Sequence, residues 1–357
     1  MSSPSKTVAF IGLGVMGYPM ALNLRKGLDS SHALLICDVS TSALEKFQSD
    51  ASGQGPVEVV KNGYDAVQRS DTVITMLPDS NAVKKVYLDK ETGVLAGAEK
   101  LPKGGDGKLI MECGTIETAT ILEVAKAVEN SSASKMLTFV DAPVSGGPMG
   151  AQDGTLAFMA GANNKDIFPT VKSYLSHMGK PDAIFLCGDI GAGTAFKVIN
   201  NYLSAITSLA ASEALNIGSK MGLDVALLTD VINVSGGQCW VTSKSNPVPG
   251  IQTNVPSSRG YEGGFRIELC AKVLGMGSQL AEMVGARTIL DKPTLEAFDE
   301  AMKDERYKGK DARVHKPTIN VYGKGLVAYA ISLAVQRKMI TPGGYRQGYK
   351  LEPDLKT

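Results

Sequence analysis

The sequence predicts an α/β fold: a doubly wound, largely parallel sheet followed by an all-helical C-terminal region. Three observations carry this. Short apolar runs alternate with helix-period segments from Thr7 to about Asp189. A glycine-rich turn, Gly12-Leu13-Gly14-Val15-Met16-Gly17, joins the first apolar run to the first helical segment. Beyond Asp189 the strand signals stop, and helical periodicity continues to about Lys303. The boundaries are drawn at 1–189 for the sheet domain, 190–313 for the helical domain and 314–357 for a tail. A chain of 357 residues suits two domains.

Taken in order, Thr7 to Ile11 (TVAFI) reads as a buried parallel strand, and YPMALNLRKGL after the glycines as a helix. In that context G-x-G-x-x-G is a dinucleotide fingerprint. The first glycine allows the tight turn, the second admits a pyrophosphate, and the third lets helix and strand pack closely. The helix N-terminus offers free N–H groups and a positive dipole end to the phosphates. A second strand, Ala33 to Cys37, ends at Asp38, about 20 residues beyond the glycines. A carboxylate there accepts both ribose hydroxyls of NAD and repels the 2′-phosphate of NADP. The competing reading is a glycine-rich turn between packed elements. Together these features predict a Rossmann-type domain that binds NAD.

The alternation continues with strands at Val57–Val60, Thr72–Leu77, Lys108–Cys113 and Leu137–Val140. Helices are expected at Asp65–Gln68, Ala82–Leu88 and Glu117–Val128, with a surface loop over Glu99–Gly107. Leu156–Gly161 and Ala183–Cys187 read as two more strands, with a helix between them from about Lys165 to Gly179. Ligands lie beyond the C-terminal ends of such strands. Three loops leave those ends: Leu77-Pro78, Gly114-Thr115 and the run from Asp141. In that last run Ser145, Gly146 and Gly147 offer one hydroxyl and two unhindered N–H groups, enough to cradle a carboxylate. A plain turn is the alternative.

A long helix opens at Gly191 with GAGTAFKVINN, and no proline follows through Gly222. Lys197 and Asn201 are four apart and share a face. Among the apolar Phe196, Val198, Ile199, Leu203 and Ile206, the lysine is expected to lose hydration and its pKa to fall. That makes it a candidate general base or acid, with Asn201 holding it or the substrate. The competing reading is a surface lysine with its stem along the helix. Asn246 to Gly264 is Pro/Gly-rich and long for a helix connection, as lids and binding loops are. A helix over Phe265–Ala286 carries Lys272, which on spacing alone reads as a solvated lysine. Trp240, the only tryptophan, reads as an interface or core anchor.

Composition removes other classes. The net charge is +1 with Lys and Arg spread along the chain, which argues against a nucleic-acid partner. No apolar run reaches the roughly 20 residues that span a bilayer. The five cysteines are far apart and odd in number, so they read as reduced, mostly buried thiols of a cytosol-like compartment. They show no zinc-site spacing, and His32, His177 and His315 stand apart from polar clusters, so no metal site is expected. The residues before the first strand show no signal or transit pattern, which favours the cytoplasm.

Several segments match one family in order. They are FIGLGVMGYPMALNL (10–24), MLPDS (76–80), DAPVSGGPMGAQDGTLAFMAG (141–161), GAGTAFKVINN (191–201), and GGQCW (236–240) followed by NPVPG and YEGGF. The chain resembles the β-hydroxyacid dehydrogenases, and within them the 3-hydroxyisobutyrate branch. The resemblance implies reversible, NAD-dependent oxidation of a 3-hydroxy acid to its semialdehyde. It implies Lys197 as the catalytic residue with Asn201 beside it, and Ser145, Gly146 and Gly147 on the substrate carboxylate. It also implies that Leu77, Pro78, Thr115 and Lys272 contact the cofactor, that the compartment is mitochondrial as in animals, and that the chain forms a homodimer or homotetramer through the helical domain.

There are departures. Val273 follows Lys272 where the family often has Asp, Glu112-Cys113-Gly114 replaces a small, hydroxyl-rich run, and Ala82 holds an often polar position. The tail from Val314 does not look like the family's short ending. Its GLVAYAISLAV reads as an apolar helix, and disorder, an extension or an artefact of reading-frame assembly all remain open for the rest. The alternatives are a sister enzyme, such as a tartronate semialdehyde or other short-chain semialdehyde reductase, and a non-catalytic NAD-binding scaffold. NADP-preferring sisters usually carry Arg in place of Asp38. The 6-phosphogluconate dehydrogenases need a longer helical domain and an Arg/Lys cluster for the sugar phosphate. A scaffold is expected to lose the lysine at 197, which is retained.

Overall fold

In a computed structural model the chain is described over residues 7–102, 104–305 and 308–312. The expectations for the tail 314–357 fall outside these residues. The described chain divides into two compact units. The first runs to Leu203 and includes Lys272–Asp291; the second holds Ser204–Ala271 and the described residues from Lys292.

The first unit is built on one sheet. Its opening elements are β1 (Val8–Ile11), α1 (Gly17–Gly27), β2 (Leu34–Cys37), α2 (Thr41–Asp50), β3 (Val57–Val59) and α3 (Gly63–Arg69). Next come β4 (Thr72–Thr75), α4 (Ser80–Leu88), α5 (Val94–Ala98), β5 (Lys108–Glu112), α6 (Thr118–Asn130) and β6 (Leu137–Asp141). β7 (Val144–Ser145), α7 (Gly147–Gln152), β8 (Leu156–Gly161), α8 (Phe168–Leu175) and β9 (Gly179–Gly188) complete it. The order is β3-β2-β1-β4-β5-β6-β8-β7, with β9 also paired to β8. From β3 to β6 every pairing is parallel, and β8 is antiparallel to β6 and β7. The chain order reverses at β1, between β2 and β4, which is where such sheets bind ligands.

The strands read as unbroken apolar runs because both faces are covered. Side chains alternate between faces. Val8, Phe10, Leu34 and Ile36 pack with Met20 and Leu24 of α1 and Phe47 of α2. Ala9, Ile11, Leu35 and Val73 pack on the other face with Val83 and Tyr87 of α4 and Ile121 and Val124 of α6. Three helices start where an Asx or Ser side chain takes a free N–H group: Ser40 for α2, Asn62 for α3 and Asp79 for α4.

Some boundaries move. β4 ends at Thr75, so Met76 and Leu77 already belong to the loop. Helix α5 lies in a stretch without a sequence signal, its N-terminus uncapped by any side chain. α8 stops at Leu175 and β9 begins at Gly179, where pairing with Leu156 of β8 overrides helical periodicity. A Cβ at Gly179 would lie 2.3 Å from Leu156 O, so only glycine permits that approach.

After β9 the chain is helical: α9 (Ala192–Lys220), α10 (Val225–Asn233), α11 (Trp240–Lys244), α12 (Ile267–Met283) and α13 (Asp291–Met302). In the second unit, Leu215 packs with Val248, Val225 and Leu228. The Asn246–Gly264 connection is internally tied: Ser257 donates to Asn246 O, and Tyr261 Oη to Pro247 O. Trp240 is 59% exposed, so it is no core anchor. Among the described residues no helix is long and apolar enough to cross a membrane.

Candidate active site

The glycine loop shows three different needs for glycine. Gly12 sits at φ +99°, and a Cβ there would lie 2.4 Å from Met76 O. A Cβ at Gly17 would lie 1.9 Å from Gly12 O, so helix and strand could not approach. A Cβ at Gly14 would meet nothing within 4 Å; the space beside it is open. Unlike α2, α3 and α4, helix α1 has no side chain capping its N-terminus. An open glycine face before an uncapped helix start fits a diphosphate. Asp38, at the end of β2, accepts from Leu13 N–H at 2.6 Å and from Ser40 N–H at 2.7 Å. It therefore pins the loop.

The loops after β4 and β5 leave the same sheet edge. Leu77 is buried, Pro78 is exposed and Thr115 is half-buried. Lys272, on the part of α12 that belongs to the first unit, donates to Pro78 O at 3.2 Å. Glu112, the last residue of β5, is fully buried. It accepts from Gly114 N–H at 2.7 Å and from the Thr75 hydroxyl. Burial pushes its carboxyl pKa up to about 8.

Beyond β6, Ser145 is half-buried, while Gly146 (φ +141°) and Gly147 (φ +65°) are exposed at the start of α7. Asn23 of α1 ties α7 to the glycine-loop helix by donating to Ala151 O at 2.7 Å. Asp141, the last residue of β6, is buried and accepts from Gly191 N–H and Thr194 N–H, each at 2.7 Å. It thus caps the first turn of α9 from another strand. Burial raises its pKa, and the two N–H groups pull it back down. The backbones are close here too: a Cβ at Gly193 would lie 2.1 Å from Met159 O.

One turn beyond Thr194 stands Lys197, 7% exposed, its pKa lowered to about 8 by desolvation. The expected source of that desolvation needs correction. Phe196, Ile199 and Leu203 are 56%, 58% and 61% exposed, so they do not bury the amine. The inward stripe of α9 holds Thr194, Lys197 and Val198, and Val198 packs on Val273 and Met276. Asn201 is half-buried, with its Oδ1 3.4 Å from Asn200 Nδ2.

The parallel strands thus bring the glycine loop, Asp38, Leu77, Pro78, Thr115 and Ser145 to one sheet edge, and α9 is tied there through Asp141. Sequence reasoning missed Glu112 and Asp141 as acceptors. A signal existed: like Asp38, each is an acid at the end of an apolar strand (KLIME, LTFVD). Among the described residues no group of His, Cys, Asp and Glu could hold a metal ion.

A family model described as the NAD binding domain of 6-phosphogluconate dehydrogenase matches residues 7–191. One described as the NAD-binding of NADP-dependent 3-hydroxyisobutyrate dehydrogenase matches residues 191–317. The mitochondrial 3-hydroxyisobutyrate dehydrogenase of Homo sapiens is 41% identical over 281 residues, covering 78% of this chain and 77% of that one. The chain belongs to the β-hydroxyacid dehydrogenase family. It is an NAD-dependent enzyme close to the 3-hydroxyisobutyrate dehydrogenases. The NAD-dependent L-serine dehydrogenase of Pseudomonas aeruginosa is 35% identical, over 87% of this chain and 96% of that one. A solved structure of a Mycobacterium tuberculosis 3-hydroxyisobutyrate dehydrogenase with L-serine is 32% identical with a TM-score of 0.74, over 86% of this chain and 97% of that one. As in that dehydrogenase, a Rossmann-type sheet precedes a helical region.

Proposed function

We propose that this dehydrogenase oxidises 3-hydroxyisobutyrate reversibly to methylmalonate semialdehyde, a step of valine degradation, with Lys197 as general acid and base. The observation that carries this is a lysine almost wholly buried, with its pKa near 8, one turn from the capped start of α9. Such an amine is partly neutral near physiological pH and can take a hydroxyl proton. In the reverse direction its ammonium returns the proton to the forming alkoxide. Asn201, one turn on, orients the hydroxyl or the amine. Ser145 Oγ and the N–H groups of Gly146 and Gly147 hold the carboxylate. Gly12, Leu13, Gly14, Val15, Met16 and Gly17 hold the diphosphate, Asp38 the ribose hydroxyls, and Leu77, Pro78, Thr115 and Lys272 the nicotinamide side. Bound NAD supplies the hydride acceptor. Its positive ring lowers the pKa of Lys197 further, and the substrate carboxylate raises it.

The test is initial rates with NAD and NADP against (S)-3-hydroxyisobutyrate, L-serine, D-glycerate and 3-hydroxypropionate. Preference for 3-hydroxyisobutyrate with NAD supports the reading; preference for another acid overturns the substrate and keeps the site. L-serine is the second reading, supported by the serine dehydrogenase relative. We also read the chain as a homodimer or homotetramer, on the exposed Ile217, Met221, Leu227, Val231 and Trp240 of the helical region. Light scattering of the purified chain tests that.

A further inference from the structure

The loops after β4 and β5 are not held apart by packing alone. Thr75 and Glu112 are register partners at the ends of these neighbouring strands. From β5, the Glu112 side chain reaches across to the Thr75 hydroxyl at the end of β4 and turns back to Gly114 N–H on its own loop. The loops come so close that a Cβ at Gly114 would lie 2.6 Å from both Glu112 Oε1 and Leu77 O. The Thr75 hydroxyl donates to Glu112, and the buried Tyr87 hydroxyl of α4 lies 2.6 Å from Thr75 Oγ1. With Glu112 ionised and the single Thr75 proton given to it, Tyr87 is the donor in that second contact. Tyr87 lies on the helix that begins just after the Leu77-Pro78 loop. Lys272 fastens the outer side of the same loop through Pro78 O.

We propose that Glu112 is a positioning residue for the nicotinamide half of the cofactor: by joining the Thr75 hydroxyl at the end of β4 to Gly114 N–H after β5 it fixes the spacing of the two loops that flank that half. This rests on the proposed placement of Leu77, Pro78 and Thr115 beside the nicotinamide. Glu112 is completely buried, so it acts through the loops and not on the ligand. Its action is therefore confined to one end of the cofactor; the glycine loop and Asp38 hold the other end by separate contacts.

The experiment compares NAD with ADP-ribose, which shares every group but the nicotinamide, by calorimetry on the full chain. Glu112→Asp shortens the reach by one methylene and leaves an N–H group without its acceptor. NAD affinity is expected to fall about tenfold while ADP-ribose stays within about twofold. Glu112→Gln, measured above pH 8 where the wild-type carboxyl is ionised, keeps the reach but replaces one acceptor oxygen with a donor. It serves if the shorter variant does not fold, and a smaller loss, about threefold, again confined to NAD, is expected. Equal losses for both ligands, or none in either folded variant, overturn the proposal. Thr115→Ala separates it from the reading beneath it. If Thr115→Ala leaves the NAD to ADP-ribose ratio unchanged, the loops do not flank the nicotinamide and both ideas fall. If it lowers the ratio while the Glu112 variants do not, only the positioning role falls.

Discussion

Helices α1 and α9 both begin beside glycines that let backbones nearly touch, yet their N-termini are finished in opposite ways. The start of α1 has no side-chain cap and looks onto the open space beside Gly14. The start of α9 is closed by the buried carboxylate of Asp141, brought from the end of β6. A helix N-terminus attracts an anion in either case. At α9 the chain itself supplies the anion; at α1, beside an open glycine face, it does not. On the proposed reading, α1 holds the cofactor and α9 holds the proton-transferring lysine.

The sharpest way to break this comparison is Lys197→Ala. Turnover is expected to fall roughly a thousandfold or more, with NAD affinity nearly unchanged. Coupled loss of both would mean that the two helices are not separate in role. The wild-type pH profile carries the same point. Oxidation needs the neutral amine, so its rate should drop about tenfold per pH unit below a pKa near 8, shifted by bound ligands; reduction needs the ammonium and should fall above it.

Asp141→Ala removes the internal anion. Two buried N–H groups lose their acceptor, at roughly 1–3 kcal/mol each, so urea unfolding should show a stability loss of about 3 kcal/mol. A variant as stable as the wild type would show that packing alone mounts α9.

Glu112 is a third strand-end acid, buried like Asp141, and gives a pH signature. Its pKa in the folded chain, about 8, lies above the ordinary 4.5. The folded state therefore keeps a proton that the unfolded chain has lost, so stability falls as pH rises from about 4.5 to about 8. Between pH 6 and 8 the loss should approach roughly 2 kcal/mol. Denaturant midpoints should show this slope in the wild type and lose it in Glu112→Gln.

The smallest effect is expected at Gly14→Ala. No protein atom opposes the new methyl group, so stability should hold, while NAD affinity falls about tenfold because the methyl occupies the diphosphate's approach. Unchanged NAD affinity would show that the open face of α1 is not where the diphosphate lies.

Much of this was legible in the chain. The parallel strands appear as apolar runs, the glycine fingerprint appears in context, and α9 appears as an unbroken helix. The sequence predicts the lowered pKa of Lys197, and of the apolar neighbours it offers, Val198 is buried on the same stripe while three are exposed. Phe196, Ile199 and Leu203 were read as its apolar surroundings, and they face outward because a helix turns about 100° per residue. Short α5 and the early start of β9 were hidden because local propensity there is weak and pairing decides.

By itself the sequence determined what depends on near neighbours: strand and helix periods, the glycines of the first turn, and the four-residue spacing of Lys197 and Asn201. Only the tertiary structure decided which distant N–H groups an acid would meet. Asp141 reaches Gly191 and Thr194 across some fifty residues of sequence, and Glu112 meets the Thr75 hydroxyl on the neighbouring strand. The physical reason is that a buried carboxylate must find donors, and which donors lie within reach is set by the order of strands in the sheet.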